Sequence, residues 1–241
     1  MLQRIALIAF LFFHCSEKQG ASLITPDDKS PHFQTKLYNG VPASIAMSVT
    51  GELERHYDRI LADMKLDTLP VIGVEIWDDA NNFLSAMEKN IGQRYPGATG
   101  YVKYETMYLL NRGHVPQAAV HEFAHIASLH VNPRIGNNPR WLWEAVALYE
   151  AGDFVDPKSL SYMVNGNYPT LAQLNASYNN DQRIYAVGYT LTEFILHDWG
   201  RDAFIQLIKT NGSIESVLGL SVPEFEQNWY TFVKEKYLSV H

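Results

Sequence analysis

The stretch Val120-His121-Glu122-Phe123-Ala124-His125-Ile126-Ala127, midway along a chain of 241 residues, decides how the rest of the sequence is read. Val120, Phe123, Ala124 and Ala127 give a helical segment with a side for a core. His121 and His125, at i and i+4, fall on one side of that helix about one turn apart, so both imidazoles reach a single metal ion. Glu122 is offset enough to hydrogen-bond a metal-activated water without ligating the metal. Zinc lowers the pKa of such a water to about 7, and the adjacent carboxylate then takes its proton as the water attacks a polarised carbonyl. This is the pattern of metal-assisted hydrolysis.

A second coincidence lies downstream. In Trp141-Leu142-Trp143-Glu144-Ala145-Val146-Ala147-Leu148-Tyr149-Glu150, Glu144 follows His125 after an interval of 18 residues. Trp141, Ala145 and Leu148 form an apolar face for packing on the first helix, while Glu144 turns its carboxylate to the same zinc. Two His and one Glu leave the fourth position open for water. The combined pattern arises by accident about once in a thousand such sequences. His130 falls about 140° around the helix from His125 and is read as a non-ligand. His114 and His197 read as structural, and Trp141 and Trp143 as packing residues that flank a cleft.

Working outward, apolar residues recur at helical spacing from Ala43 to Met64 (Ile45, Val49, Leu53, Tyr57, Ile60, Leu61, Met64), which predicts an amphipathic helix. Leu69 to Trp77 is a β-rich run, and Asp79 is placed to cap a helix from Ala80 to about Asn90. Gly97 to Gly100 breaks the chain, and Tyr101 to Leu110 alternates like a pair of short strands. Helical patterns then cover roughly 116–130, 139–151, 182–198, 201–210 and 222–238. The expectation is an α+β fold: a small, mostly antiparallel sheet lobe, then a helical lobe, with the zinc-binding helix between them beside a cleft.

Nineteen Lys and Arg stand against 26 Asp and Glu, a formal net charge of -7, so the basic footprint of a nucleic-acid binder is missing. With 46% hydrophobic residues the chain buries a core of its own. Cys15 is the only cysteine, so no intramolecular disulfide, cysteine zinc knot or cysteine nucleophile serves the body of the fold.

Residues 1–15 carry Arg4 and then an apolar run to Phe13, the size of a signal-peptide core and too short for a stable membrane anchor. Cys15 follows that run and precedes a polar tether, as in a bacterial lipoprotein signal whose cysteine becomes the lipidated first residue. His14 stands where such signals prefer a small residue; the alternative is a secretory peptide cut near Ala21. The protein is thus expected to be exported, anchored to a membrane through Cys15 or else secreted. Residues 16–40, rich in Ser, Lys, Asp, Pro and Gln, read as a linker, and 41–241 as the domain. Asn175-Ala176-Ser177 and Asn211-Gly212-Ser213 match the glycosylation acceptor pattern.

The two motifs together resemble the gluzincin metallopeptidases, which share H-E-x-x-H followed after a spacer by a helix with W-L-x-E-[GA]-x-A. The spacer and the string from Trp141 to Ala147 are similar to the aminopeptidase branch and to small bacterial peptidase MA-like domains. The segments Tyr185 to Gly200, Phe204 to Thr210 and Ser221 to Trp229 resemble the closing helices of those domains. Ala145 replaces the Gly usual in the aminopeptidase branch, and no G-x-M-E-N exopeptidase signature is present. The resemblance implies one zinc per chain held by His121, His125 and Glu144, Glu122 as general base, and peptide or protein substrates. It also implies an oxyanion-stabilising group from the helical lobe, for which Tyr185 and Tyr189 are the candidates. The run Glu105 to Asn111 is expected to be the edge strand that pairs with substrate backbone. Rival readings are a catalytically silent surface lipoprotein that binds a partner, and a zinc hydrolase of non-peptide amides.

Overall fold

The computed structural model describes residues 30–38 and 40–239. The signal segment, Cys15 and the start of the linker lie outside them. Strands β1 (Phe33–Tyr38), β2 (Ile72–Trp77), β3 (Gly100–Lys103) and β4 (Thr106–Leu110) form one sheet in the order β1-β2-β4-β3. Helix α1 (Ala43–Met64) joins β1 to β2, and α2 (Ala80–Ile91) joins β2 to the β3–β4 hairpin. The apolar periodicity of α1 becomes a buried stripe, Val49, Leu53, Tyr57, Ile60, Leu61 and Met64 among them. Asp79 caps α2 by accepting from the Asn82 N–H at 2.8 Å.

The class is α+β, with a sheet lobe and a helical lobe. Strand direction departs from the expectation: β1–β2 and β2–β4 are parallel, and only β3–β4 is antiparallel. The reason is that α1 is a crossover, which returns the chain to the end where β1 began and makes β1 and β2 parallel, while α2 leads into β3, which runs back against β2, so that the hairpin turn brings β4 out parallel to β2. A second correction concerns the linker. Phe33, Thr35 and Leu37 of its last residues alternate inward, and β1 pairs along its whole length with β2. A third concerns the edge: β4 sits between β2 and β3, so the free edge beside the helical lobe belongs to β3.

Alternation divides the sheet's faces. Ile72, Val74, Ile76, Met107 and Leu109 join the core shared with α1 and α3 (Val115–Val131), whereas Trp77, Tyr101 and Leu110 pack with Phe83, Leu84 and Met87 of α2. Each such fully buried side chain contributes about 1.5–3 kcal/mol relative to exposure.

The helical lobe adds α4 (Arg140–Glu150), the short α5 (Ser161–Val164) and α6 (Leu171–Leu174), α7 (Ile184–Lys209), α8 (Ile214–Leu218) and α9 (Val222–Val233). Gly200, at φ 74 and ψ -177, breaks α7 where the sequence pattern divides into two segments. Helix α9 stops at Val233, and Lys234–Leu238 continues as a wider π turn. The α4–α7 contact depends on Gly188: a Cβ there would lie 3.1 Å from the Ala145 Cα and 2.6 Å from Leu148 Cδ1. Among the described residues no helix is long and apolar enough to cross a membrane.

Candidate metal centre

Helix α3 is buried on nearly every side, with Phe123, Ala124, Ile126 and Ala127 fixed in the core. That packing sets its rotation and leaves His121, Glu122 and His125 toward the cleft between the lobes. Helix α4 brings Glu144 to the same place. Glu144 Oε2 lies 3.3 Å from His121 Nε2 and 3.8 Å from His125 Nε2. All three ligand-type atoms fall within 4.8 Å of one another. Two atoms each about 2.1 Å from one zinc at the tetrahedral angle stand about 3.4 Å apart, so these separations suit a shared ion. Glu144 Oε2 and His125 Nδ1 are buried and make no hydrogen bond. A buried carboxylate oxygen without a donor is costly, and a cation between it and the imidazoles removes that cost. The residues present therefore fit a zinc ion.

Neighbours fix the rings. Trp143 stacks on His125 at 3.9 Å with 4° between the planes, and His121 Nδ1 faces Asp153 Oδ2 at 3.8 Å. The Tyr185 hydroxyl donates to Glu144 Oε1 at 3.2 Å, an approach allowed by the close α4–α7 packing at Gly188. Burial, reinforced by the charge of Glu144, raises the Tyr185 phenol far above its ordinary value, so it stays a donor. Burial lowers His121, but the carboxylates of Glu144, Glu122 and Asp153 outweigh it and hold the imidazole above its usual value. His125 is held well below its usual value by burial and by the charge of His121. Burial lifts Glu122 to about 7, with His121 opposing and Glu144 adding to the rise.

The loop between the two helices that carry the cluster is tied down from a distance. Asn132 Nδ2 donates to the Ile208 carbonyl at 2.8 Å and to Asn211 Oδ1 at 3.1 Å. Asn211 Nδ2 in turn donates to the carbonyls of Arg134 at 2.9 Å and Asn138 at 2.6 Å. This pair of carboxamides fixes the α3–α4 connection to the end of α7.

The structure brings together His121, Glu122, His125, Glu144 and Tyr185 around a cleft of about 1150 Å³. Tyr189 stands apart, packed on Tyr149 and Phe154, and His114, His130 and His197 are exposed. Trp141 packs on Phe225 in the core, whereas Trp143, also buried, lines the cleft. Sequence reasoning missed Asp153 and Gly100. Gly100, on β3, lies so close to Glu122 that a Cβ would stand 2.3 Å from its Oε1. The only signal for it was a glycine at the start of a strand. Comparison of the sequence with family models and with curated proteins finds no match.

Proposed function

We propose that this protein is an exported zinc-dependent peptidase of the gluzincin kind, hydrolysing peptide bonds with Glu122 as general base. One observation carries the reading: two helices present His121, His125 and Glu144 at the separations of a common ion, with a second carboxylate, Glu122, beside them on the cleft. A zinc ion held by the three side chains supplies a Lewis acid for the scissile carbonyl and brings the pKa of water toward neutrality. Glu122 accepts the proton of the attacking water at its carboxylate and passes it to the departing amine nitrogen, the shuttle a general base performs when a neutral amine must leave. Gly100 holds that carboxylate in place by offering no side chain. Tyr185 turns its O–H from Glu144 Oε1 toward the oxygen on which charge develops. The free edge of β3 offers unpaired backbone groups along the cleft, and an extended peptide satisfies them as an added strand.

Metal analysis and peptide hydrolysis of the purified domain test this together. One zinc per chain is expected, lost in His121→Ala and His125→Ala and removed with activity by chelator. Glu122→Gln is expected to keep the metal and lose activity by at least about 10²-fold. Stoichiometric zinc in both histidine variants, or full activity in Glu122→Gln, overturns the proposal.

A further inference from the structure

The connection between α6 and α7 leaves the helical lobe and reaches the opposite wall of the cleft. Its Tyr178 ring lies 5.7 Å from Tyr95 and 6.0 Å from Tyr185, so this side chain stands between the two lobes. Tyr95 and Gly97 belong to the α2–β3 connection, on the sheet side. Contact with Gly97 is direct: a Cβ there would lie 2.6 Å from the Tyr178 hydroxyl, so a side chain at that point would displace the tip of the tyrosine. Tyr95, Gly97, Tyr178 and Tyr185 line the same cleft as the metal-binding triad.

Both ends of this strap are anchored to the first turn of α4. Arg140 is buried, and its Nη1 donates to the carbonyls of Leu174 at 3.3 Å, Ala176 at 2.7 Å and Asp181 at 2.9 Å. Asn175 Oδ1 accepts from the Trp141 N–H at 3.1 Å. Arg140 and Trp141 lie about one turn before Glu144, so strap and metal ligand share one rigid support.

A bridge of this kind decides what enters. A polypeptide without a free end has to be laid into a groove from the side, and a groove spanned by Tyr178 and Gly97 refuses it; a chain end slides in beneath or up to the span. The distance from the span to the chemistry follows from the sequence. Gly97 and Gly100 are three residues apart, and Gly100 touches Glu122, so the span lies at most about 11 Å along the chain from the general base. An extended substrate has the same rise per residue, so no more than about three of its residues fit between the scissile bond and the span.

We propose that the cleft takes peptide ends: the enzyme releases one to about three residues from a chain terminus, and the Tyr178–Gly97 bridge excludes internal segments. This rests on the hydrolase reading above and adds the substrate class.

The test uses the zinc-loaded domain and one unstructured peptide in two forms, free at both ends or joined at both ends to small folded domains. Mass spectrometry of early products is expected to show loss of one to about three residues from one end of the free peptide, with the flanked form left intact. In Tyr178→Ala, internal cuts are expected in both forms. Binding gives a readout independent of turnover: zinc-loaded Glu122→Gln is expected to bind the free form at least about tenfold tighter than the flanked form, and Tyr178→Ala added to it to level the two. Internal cleavage of the flanked peptide by the unaltered enzyme, equal binding of the two forms, or an end preference unchanged in Tyr178→Ala each overturns the proposal while leaving a hydrolase. No cleavage of either form by zinc-loaded protein overturns the hydrolase reading and this one with it.

Discussion

Replacing Gly100 by alanine adds one methyl group at the point where the sheet lobe touches the proposed general base. The backbone of Gly100 runs within β3 and outside the left-handed region, so alanine brings no conformational strain of its own. What it brings is a clash, with a Cβ 2.3 Å from Glu122 Oε1, 2.8 Å from Cδ and 2.9 Å from Cγ. Ordinary contact begins at 3.4 Å, so the carboxylate has to retreat by roughly 1 Å or the strand has to lift. Misplacing a positioned catalytic group by about 1 Å costs on the order of 10²-fold in rate. Gly100→Ala is therefore expected to lower kcat about 10²-fold and leave KM within a few-fold, with one zinc still bound, because none of the three ligands is touched. Overpacking also costs stability, about 1–3 kcal/mol. That loss is expected to vanish when the substitution is made in a Glu122→Ala background, where the obstructing carboxylate is gone. A kcat within about threefold of the unaltered enzyme, or a stability loss that persists without Glu122, refutes the idea that Gly100 positions the base.

Tyr185→Phe removes one hydroxyl and nothing else; kcat is expected to fall by about 10²-fold or more with zinc content held, and unchanged turnover would leave Tyr185 as a packing residue. Glu150 is buried against Arg59, Asp63 and Arg201, and burial together with the charge of Asp63 lifts its carboxyl to about 7 against the pull of the two arginines. Between the ordinary value of 4.5 and that raised value the folded state holds a proton that the unfolded chain has released. Stability therefore falls as pH rises through this window, by on the order of 3 kcal/mol, and denaturant titrations of Glu150→Gln should show a correspondingly flatter slope; an unchanged slope would assign the pH dependence elsewhere. Cys15→Ser is expected to move the protein from the membrane fraction to the soluble one with zinc content and turnover intact, and a mature chain that starts beyond residue 15 would exclude the anchor.

Elements with one wet and one dry side were legible in the sequence. In α1 Val49, Leu53, Tyr57, Ile60, Leu61 and Met64 are buried as their spacing marked them, while Ile45 is only half-buried and Ala46 and Thr50 are buried without having been marked; Asp79 announces the start of α2 through its side-chain cap. The three metal-ligand candidates were legible because two lie one helical turn apart and the third follows at a fixed interval. Strand direction was not, since a period of two is the same in parallel and antiparallel pairs; the crossover α1 and the β3–β4 hairpin decide it. Strand β1 was passed over because polar neighbours and Pro31 masked the alternation of Phe33, Thr35 and Leu37. Contacts made only in three dimensions left no local pattern. Gly100 against Glu122, Tyr178 against Gly97 and Gly188 against Ala145 are each a glycine whose partner is distant in sequence. The short helices α5 and α6, at four residues each, are too brief to show a period.

The carboxamide pair Asn132 and Asn211 bears on the order in which parts of the molecule let go. Opening the α3–α4 connection means breaking the bonds from Asn132 to Ile208 and from Asn211 to Arg134 and Asn138 at once, and these reach the end of α7. A segment tied down at several points opens less readily than a free loop, and hydrogen exchange is expected to be slowest at the N–H groups of Ile135 and Asn138, which are bonded within it. At the exposed tip of the strap, whose bonds to Arg140 lie at its two ends, faster exchange is expected. The separation of His121 and His125 from Glu144 is therefore braced from the far end of α7, by residues that take no part in the cluster itself.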